Sequence, residues 1–373
     1  MIPYIFMYGF LASLLLFKPD RKLFFLTFVP LCLFLNLAYT NGIDWTAYQF
    51  LYENEPFHTR GIEFGYTGLV LIGKFLGLNF EFFKFIILSF NLYVILKFIF
   101  RVSVKPAFVV LILFQTHLLG NFFEPAIRQL QAVIILIYAI EYLVNRDNKK
   151  FIVSVVLGSL FHQSMLVLIF LPWLIYKINF KRVIILSLIG SALAPMFDIV
   201  MRMLVVFPMF KDYSFYLGSS YFEGIEPSLF NLSKALIYML PILLLSNYRK
   251  NDDTINVLRG MGLLFVLCFN LQFSLLIFYR FNHYFIIFYV VYISFIFDIY
   301  RKSIHRYLFF SFYIFIHFIS LIKGVEYFRD RDSMKYFPYT NYFYEYAVGR
   351  TYENPQDKID ARLHSRWSQM DID

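Results

Sequence analysis

Uncharged apolar runs recur along nearly the whole chain, and this feature limits what it can fold into more than any other. A helix needs about twenty apolar residues to cross the hydrocarbon core of a bilayer. Cutting the sequence at charge clusters and at Pro, Gly and Asn gives ten such crossings, with ends that shift by a few residues. They are Ile2 to Phe17, Leu23 to Thr40, Phe82 to Phe100, Ala107 to Gly120, Ala126 to Val144, Val183 to Phe207, Asn231 to Ser246, Asn256 to Phe278, Tyr284 to Ile299 and Tyr307 to Ile322. Of the 373 residues, 60% are hydrophobic and 16% charged, where soluble chains sit nearer one half and one quarter. Lipid leaves backbone polar groups no partner but each other, so the expectation is an all-α polytopic transmembrane bundle of about 10 to 12 spans. Residues 1–322 form the membrane domain, with outer loops at 41–65 and 208–228. Residues 323–373 form an aromatic interfacial segment and a polar tail. The first run has no basic n-region and no small-residue cleavage site, and is expected to stay as a span.

Two further apolar stretches, Tyr66 to Leu78 and Phe151 to Tyr176, are ambiguous by length, and the charge map arbitrates. If the first is a short interfacial or re-entrant helix and the second is two half-helices meeting near Phe161-His162-Gln163, six short loops on one side hold 17 of the 34 basic residues. Those loops centre on Arg21, Arg101, Lys149, Lys181, Arg249 and Lys302. The opposite loops hold only Arg60, Lys211 and Arg280. The net charge of +9 is then mostly a marker of orientation, with both termini outside, and gives no reason to expect nucleic acid as a partner. The 22% aromatic content is also what an A/T-rich gene would encode and argues no role by itself. The two cysteines, Cys32 and Cys268, sit inside apolar runs as small hydrophobes.

Ionisable residues at membrane depth need a partner or a wet cavity, and four groups of them lie toward the outer face. The first is Asp44 and Tyr48, four apart, with Glu63, Gly65 and Tyr66 further on; Asp44 serves equally well as a helix cap. The second is Arg128-Gln129 just after Glu124-Pro125, where a guanidinium beside a helix N-terminus makes an oxyanion site. A local Arg128–Glu124 pair is the plainer alternative. The third is His162-Gln163-Ser164, three consecutive polar residues that point different ways round a helix and so favour a break. The fourth is Arg280 to His283, a second cation for the cavity of Arg128 or an ordinary interfacial anchor.

No GxGxxG, Walker, HExxH, GxSxG or Cys-rich motif occurs, so no cofactor or metal is expected. Carboxylates, two arginines and a histidine near apolar walls suit a ligand with a pyrophosphate head, a lipid tail and hydroxyl-rich sugars. At these same residues the sequence resembles the EpsG/Wzy-type family of O-antigen polysaccharide polymerases. The resemblance rests on Gly42-x-Asp44-x-x-x-Tyr48, Glu63-x-Gly65-Tyr66, Ile127-Arg128-Gln129, Phe161-His162-Gln163-Ser164 and Pro338-Tyr339, in that order. After Arg128-Gln129 the chain has Leu130-Gln131-Ala132, where members of the family often carry a small residue sooner, and the tail past Gly349 matches nothing.

The resemblance implies a glycosyltransferase of the bacterial inner membrane that works at the periplasmic face on undecaprenyl-pyrophosphate-linked oligosaccharides. It also implies a chain-length-determinant co-polymerase as partner. The growing glycan passes from its lipid pyrophosphate to the non-reducing-end hydroxyl of the next lipid-linked unit. In that frame Arg128 and Arg280 hold the donor pyrophosphate. His162, or else Asp44, takes the acceptor proton, and Glu63, Tyr48, Gln129 and Tyr339 contact substrate. A flippase for the same lipids and a polysaccharide O-acyltransferase are the rival readings. Polar residues gathered at the outer ends count against the flippase, and the lack of an Arg/His pairing in the first spans counts against the acyltransferase.

Overall fold

The computed structural model describes residues 2–41, 44–54, 63–123, 126–205, 229–249, 251–299, 304–330, 339–349, 351 and 357–358. Gly42, Arg60, Glu124, Pro125, the whole of loop 208–228, Pro338 and most of the tail lie outside the described residues. Among the described residues all regular structure is helical, apart from a single bridge between Ala38 and Asn341. The chain is an all-α polytopic membrane protein.

The helices are α1 (Ile2–Ser13), α2 (Arg21–Leu31), α3 (Asp44–Glu53), α4 (Phe64–Phe75), α5 (Phe80–Val102), α6 (Pro106–Leu113), α7 (Leu119–Phe123), α8 (Ile127–Val144) and α9 (Asn148–Ser159). They continue with α10 (Leu171–Leu174), α11 (Phe180–Val205), α12 (Leu229–Leu244), α13 (Asp253–Leu271), α14 (Ile277–Ile293), α15 (Ile296–Ile299), α16 (Ile304–Asp330) and α17 (Tyr342–Ala347). Asp20, Asn79 and Asp252 accept from backbone N–H groups in the first turns of α2, α5 and α13, at 2.8, 2.9 and 3.2 Å. Each satisfies a donor that the helix itself cannot.

Most expected crossings fall largely on helix, but Asn256 to Phe278 does not: α13 ends at Leu271 and α14 starts at Ile277, so the break lies at 272–276 and Tyr279 to His283, expected as an outer loop, is helical. Five segments among the described residues are long and apolar enough to span by themselves: Phe80–Val102, Pro106–Phe123, Ile127–Val144, Asp253–Leu271 and Ile277–Ile299. Several of the others are shorter apolar helices or are interrupted. In α2 Pro30 removes one backbone donor, and a π-type turn, Cys32–Asn36, follows. Another π-type turn, Phe114–Leu118, joins α6 to α7. α16 runs past Ile322, where the apolar pattern ends, to Asp330.

The chain divides into two compact units. The first comprises residues 1–137, 158–163 and 302–373. In it α1 packs on α6, α2 on α5, α3 on α5, and α16 on α6 and its π-type turn. Buried amides hold α5 to its neighbours: Gln131 on α8 donates to Asn91 at 2.9 Å, and Asn36 donates to Ser89 at 3.1 Å. The second unit comprises residues 138–157 and 164–301, with α13 packed against α11, α12 and α14.

The stretch Phe151 to Tyr176 is broken where its polar triplet predicts. α9 ends at Ser159, a 3₁₀ segment starts at Gln163, and His162 lies in the turn between them. At about 1.5 Å per residue, the 12 residues of α4 reach about 18 Å, too short for a span and as expected of an interfacial or re-entrant helix.

Candidate active site

The first unit brings together residues distant in sequence, up to 100 positions from Glu63 at the centre. Its Oε2 accepts from Arg128 Nη1 at 2.6 Å, and its Oε1 lies 3.4 Å from His162 Nδ1 and 3.4 Å from the Gln163 backbone N–H. The Glu63 side chain is only 7% exposed, that of His162 18% and that of Arg128 29%. Burial pushes the Glu63 carboxyl up. The contact from His162 and the charge and hydrogen bond of Arg128 outweigh that and hold it below the ordinary carboxylate value.

Local structure explains how Glu63 gets there. It is the last extended residue before α4, and the Gly65 N–H donates to Leu160 O at 2.7 Å. That bond stitches the start of α4 to the turn that presents His162. A Cβ on residue 65 would sit 2.8 Å from Leu160 O and 2.9 Å from the Phe161 ring, so only glycine lets the two backbones approach this closely.

Arg128 is the second residue of α8, where the positive end of the helix dipole disfavours a cation. Glu63 offsets that. Tyr48, buried on α3, adds its hydroxyl as acceptor for Arg128 Nε at 3.4 Å, and its ring lies 5.8 Å under the guanidinium. Burial pushes the Tyr48 hydroxyl up, so it meets Arg128 as a neutral acceptor. Tyr66 packs edge-on to Tyr48 at 5.4 Å. The Arg128 side chain stays 29% exposed. Cation, carboxylate and imidazole together can bind an anion and accept a proton, with His162 Nδ1 buried and facing the carboxylate at 3.4 Å, short of a hydrogen bond.

The remaining sequence candidates fall around this group or away from it. Asp44 opens α3, exposed, and acts on Tyr48 through its charge. Gln129 is buried next to Arg128 on α8. Tyr339 donates to Phe34 O at 3.1 Å, stacks on Phe34 at 4.8 Å and packs against Tyr4 and Phe123; it braces the end of α2. Arg280 lies on α14, in the second unit. Among the described residues no cluster of His, Cys, Asp or Glu has the makings of a metal site. The local alternative for Arg128, Glu124, lies outside the described residues; among the described residues the carboxylate paired with Arg128 is Glu63.

A model of the EpsG family matches residues 21–341. The chain belongs to the EpsG family. All five members of the Glu63 group, Tyr48, Glu63, Arg128, His162 and Gln163, lie inside the matched segment. EpsG membership agrees with a polymerase-like glycosyltransferase. No curated protein and no solved structure matches the chain.

Proposed function

We propose that this EpsG-family protein polymerises a polysaccharide at the outer face of the bacterial inner membrane, with undecaprenyl-pyrophosphate-linked oligosaccharides as both donor and acceptor. The observation that carries the reading is the Arg128–Glu63–His162 group, which sets an anion-binding cation beside an imidazole that faces a carboxylate. The donor pyrophosphate binds Arg128, which stabilises negative charge on the leaving oxygen. Glu63 faces His162 Nδ1, and Nε2 takes the proton from the acceptor's non-reducing-end hydroxyl. The acceptor oxygen bonds to the donor's anomeric carbon as the bond from that carbon to phosphate oxygen breaks. Undecaprenyl pyrophosphate leaves with the electron pair.

Tyr48 and Gln129 line the approach to Arg128. Asp44 is the second candidate for taking the acceptor proton, Tyr339 is a candidate for sugar contact, and Arg280, on α14, is a candidate substrate ligand. A chain-length-determinant co-polymerase is the partner that the family likeness suggests. No step in this scheme needs a metal, so activity in membranes should persist in chelator.

The deciding experiment is the lipid-linked glycan profile of a strain that lacks the gene, complemented with wild type, Arg128→Ala or His162→Ala at matched membrane levels. Loss of polymerisation leaves single repeat units attached to the lipid A core. A flippase defect would leave no repeat there, and a missing acyltransferase would leave full-length, unmodified chains. Full-length polymer from either variant would refute the assignment.

A further inference from the structure

Among the described residues beyond the matched segment, Lys358 of the C-terminal tail is buried. Lys358 is 3% exposed, and its ammonium donates to Gln49 Oε1 at 2.8 Å and Glu81 Oε1 at 3.0 Å. It also lies over the rings of Tyr39 at 5.2 Å and Trp45 at 5.5 Å. The other oxygen of Glu81 takes Lys84 at 2.6 Å, and Lys84 donates to Ala38 O at 3.0 Å. Gln49 donates in turn to Glu53. The chain Glu53, Lys358, Glu81, Lys84 is thereby balanced in charge, two negative and two positive. Burial pulls the Lys358 ammonium down, and Glu81 and Glu53 oppose that.

Every residue of this socket except Lys358 belongs to the EpsG-matched segment 21–341, so the family core forms the socket and the tail supplies what fills it. Trp45 and Gln49 lie on the buried face of α3 together with Tyr48, and Tyr48 is the residue that meets Arg128. We propose that Lys358 is a positioning residue, a latch from the tail that fixes α3 against α5 and so keeps Tyr48 seated on Arg128. Without its ammonium the socket holds two carboxylates against one lysine, and α3 loses the bond to Gln49 and the cation over Trp45. The consequence for polymerisation rests on the function proposed above; the effect on α3 does not.

Two readouts separate these. The first is polymer made per inserted protein. Lys358→Met keeps the stem and removes the charge, and it should lower the yield by about tenfold to a hundredfold, the range for a group released by about an ångström. Lys358→Arg, which keeps charge, hydrogen bonds and ring contacts, should stay within about threefold of wild type. In a Tyr48→Phe background Lys358→Met should add little, because both act on one contact. Gln49→Leu, which removes the amide acceptor without changing charge, should repeat the pattern more weakly.

The second readout needs no activity. Both native cysteines are buried, so a Tyr48→Cys variant can be labelled with a membrane-impermeant maleimide against a low background. Labelling should rise when Lys358→Met is added and not when Lys358→Arg is added. Unchanged labelling, or a Lys358→Met loss that is fully additive with Tyr48→Phe, overturns the latch. If Arg128→Ala and His162→Ala leave polymer intact, the polymerase reading falls while the labelling result still decides on Lys358.

Discussion

A methyl group at residue 65 is the sharpest test of how the site is built. In Gly65→Ala the new Cβ sits 2.8 Å from a backbone carbonyl oxygen and 2.9 Å from the Phe161 ring. The carbonyl cannot swing aside as a side-chain tip would, so the start of α4 has to retreat by about half an ångström to reach ordinary contact. The retreat stretches the 2.7 Å bond from Gly65 N–H to Leu160 O, a cost of about 1 kcal/mol. Overpacking adds about 1–3 kcal/mol, and the helix preference of alanine over glycine returns about 0.5–1 kcal/mol. The net loss of stability is about 1–3 kcal/mol. The functional effect is larger in proportion. Glu63 precedes Gly65 by two residues and His162 directly follows Phe161, so the wedge opens the 3.4 Å approach between them. A shift of that size should cut polymerisation about tenfold to a hundredfold.

Gly68→Ala on the same helix is the matched control, because a Cβ there meets nothing within 4 Å. It should be neutral or slightly stabilising. The assays are polymer length and yield per inserted protein, and thermal unfolding in detergent. Full activity in Gly65→Ala, or equal damage from Gly68→Ala, would show that close approach at residue 65 is not what holds the site.

Glu63→Gln keeps an acceptor for Arg128 but removes the charge. With Glu63 7% and Arg128 29% exposed, the protein should lose about 2–3 kcal/mol of stability, toward the low side of buried-pair losses because Arg128 still reaches water. Its turnover should fall about a hundredfold or more if His162 is the base, measured as repeat units joined per minute in isolated membranes. Arg128→Lys keeps one charge but cannot serve Tyr48, Glu63 and a phosphate at once, and lipid-linked single repeats should accumulate. On pH, the Glu63 value is depressed below its ordinary 4.5. The stabilisation by its carboxylate is therefore complete above that value and is lost only as pH falls through the lower folded value. Thermal unfolding of wild type minus Glu63→Gln should give a constant difference from about pH 5 upward and a shrinking one below about pH 4.

The apolar periodicity made the helices legible, because lipid lets a chain of this composition do little else. The break at Phe161-His162-Gln163 was legible too, since three consecutive polar residues cannot share one helix face. The choice of Glu63 as the partner of Arg128 was not. Sequence reasoning sees neighbours at three and four positions, as Glu124 stands to Arg128, whereas Glu63 is 65 residues away. The one available hint was Gly65 beside it, a glycine at the start of a helix, where close approach is a common reason. The π-type turns at Cys32–Asn36 and Phe114–Leu118 left no mark in the apolar pattern, because a widened turn shifts its phase by less than one residue. Lys358 was illegible, since its socket is assembled from α3 and α5, more than 270 positions upstream.

The bridge between Ala38 and Asn341 bears on how the protein is made. Tyr39 N–H donates to Thr340 O at 3.0 Å and Tyr342 N–H to Leu37 O at 2.8 Å, while Tyr8 on α1 reaches Ile314 O at 2.9 Å. These ties join residues 8–39 to residues 314–342, and loops of roughly 300 residues close late and slowly. The unit that holds Glu63 and Arg128 therefore cannot be completed during synthesis until α16 and residues 339–342 have emerged. A ribosome that stops short of residue 339 releases a chain with every one of those side chains but no seam to hold the end of α2. Such a product should be cleared by membrane proteolysis before it can meet substrate.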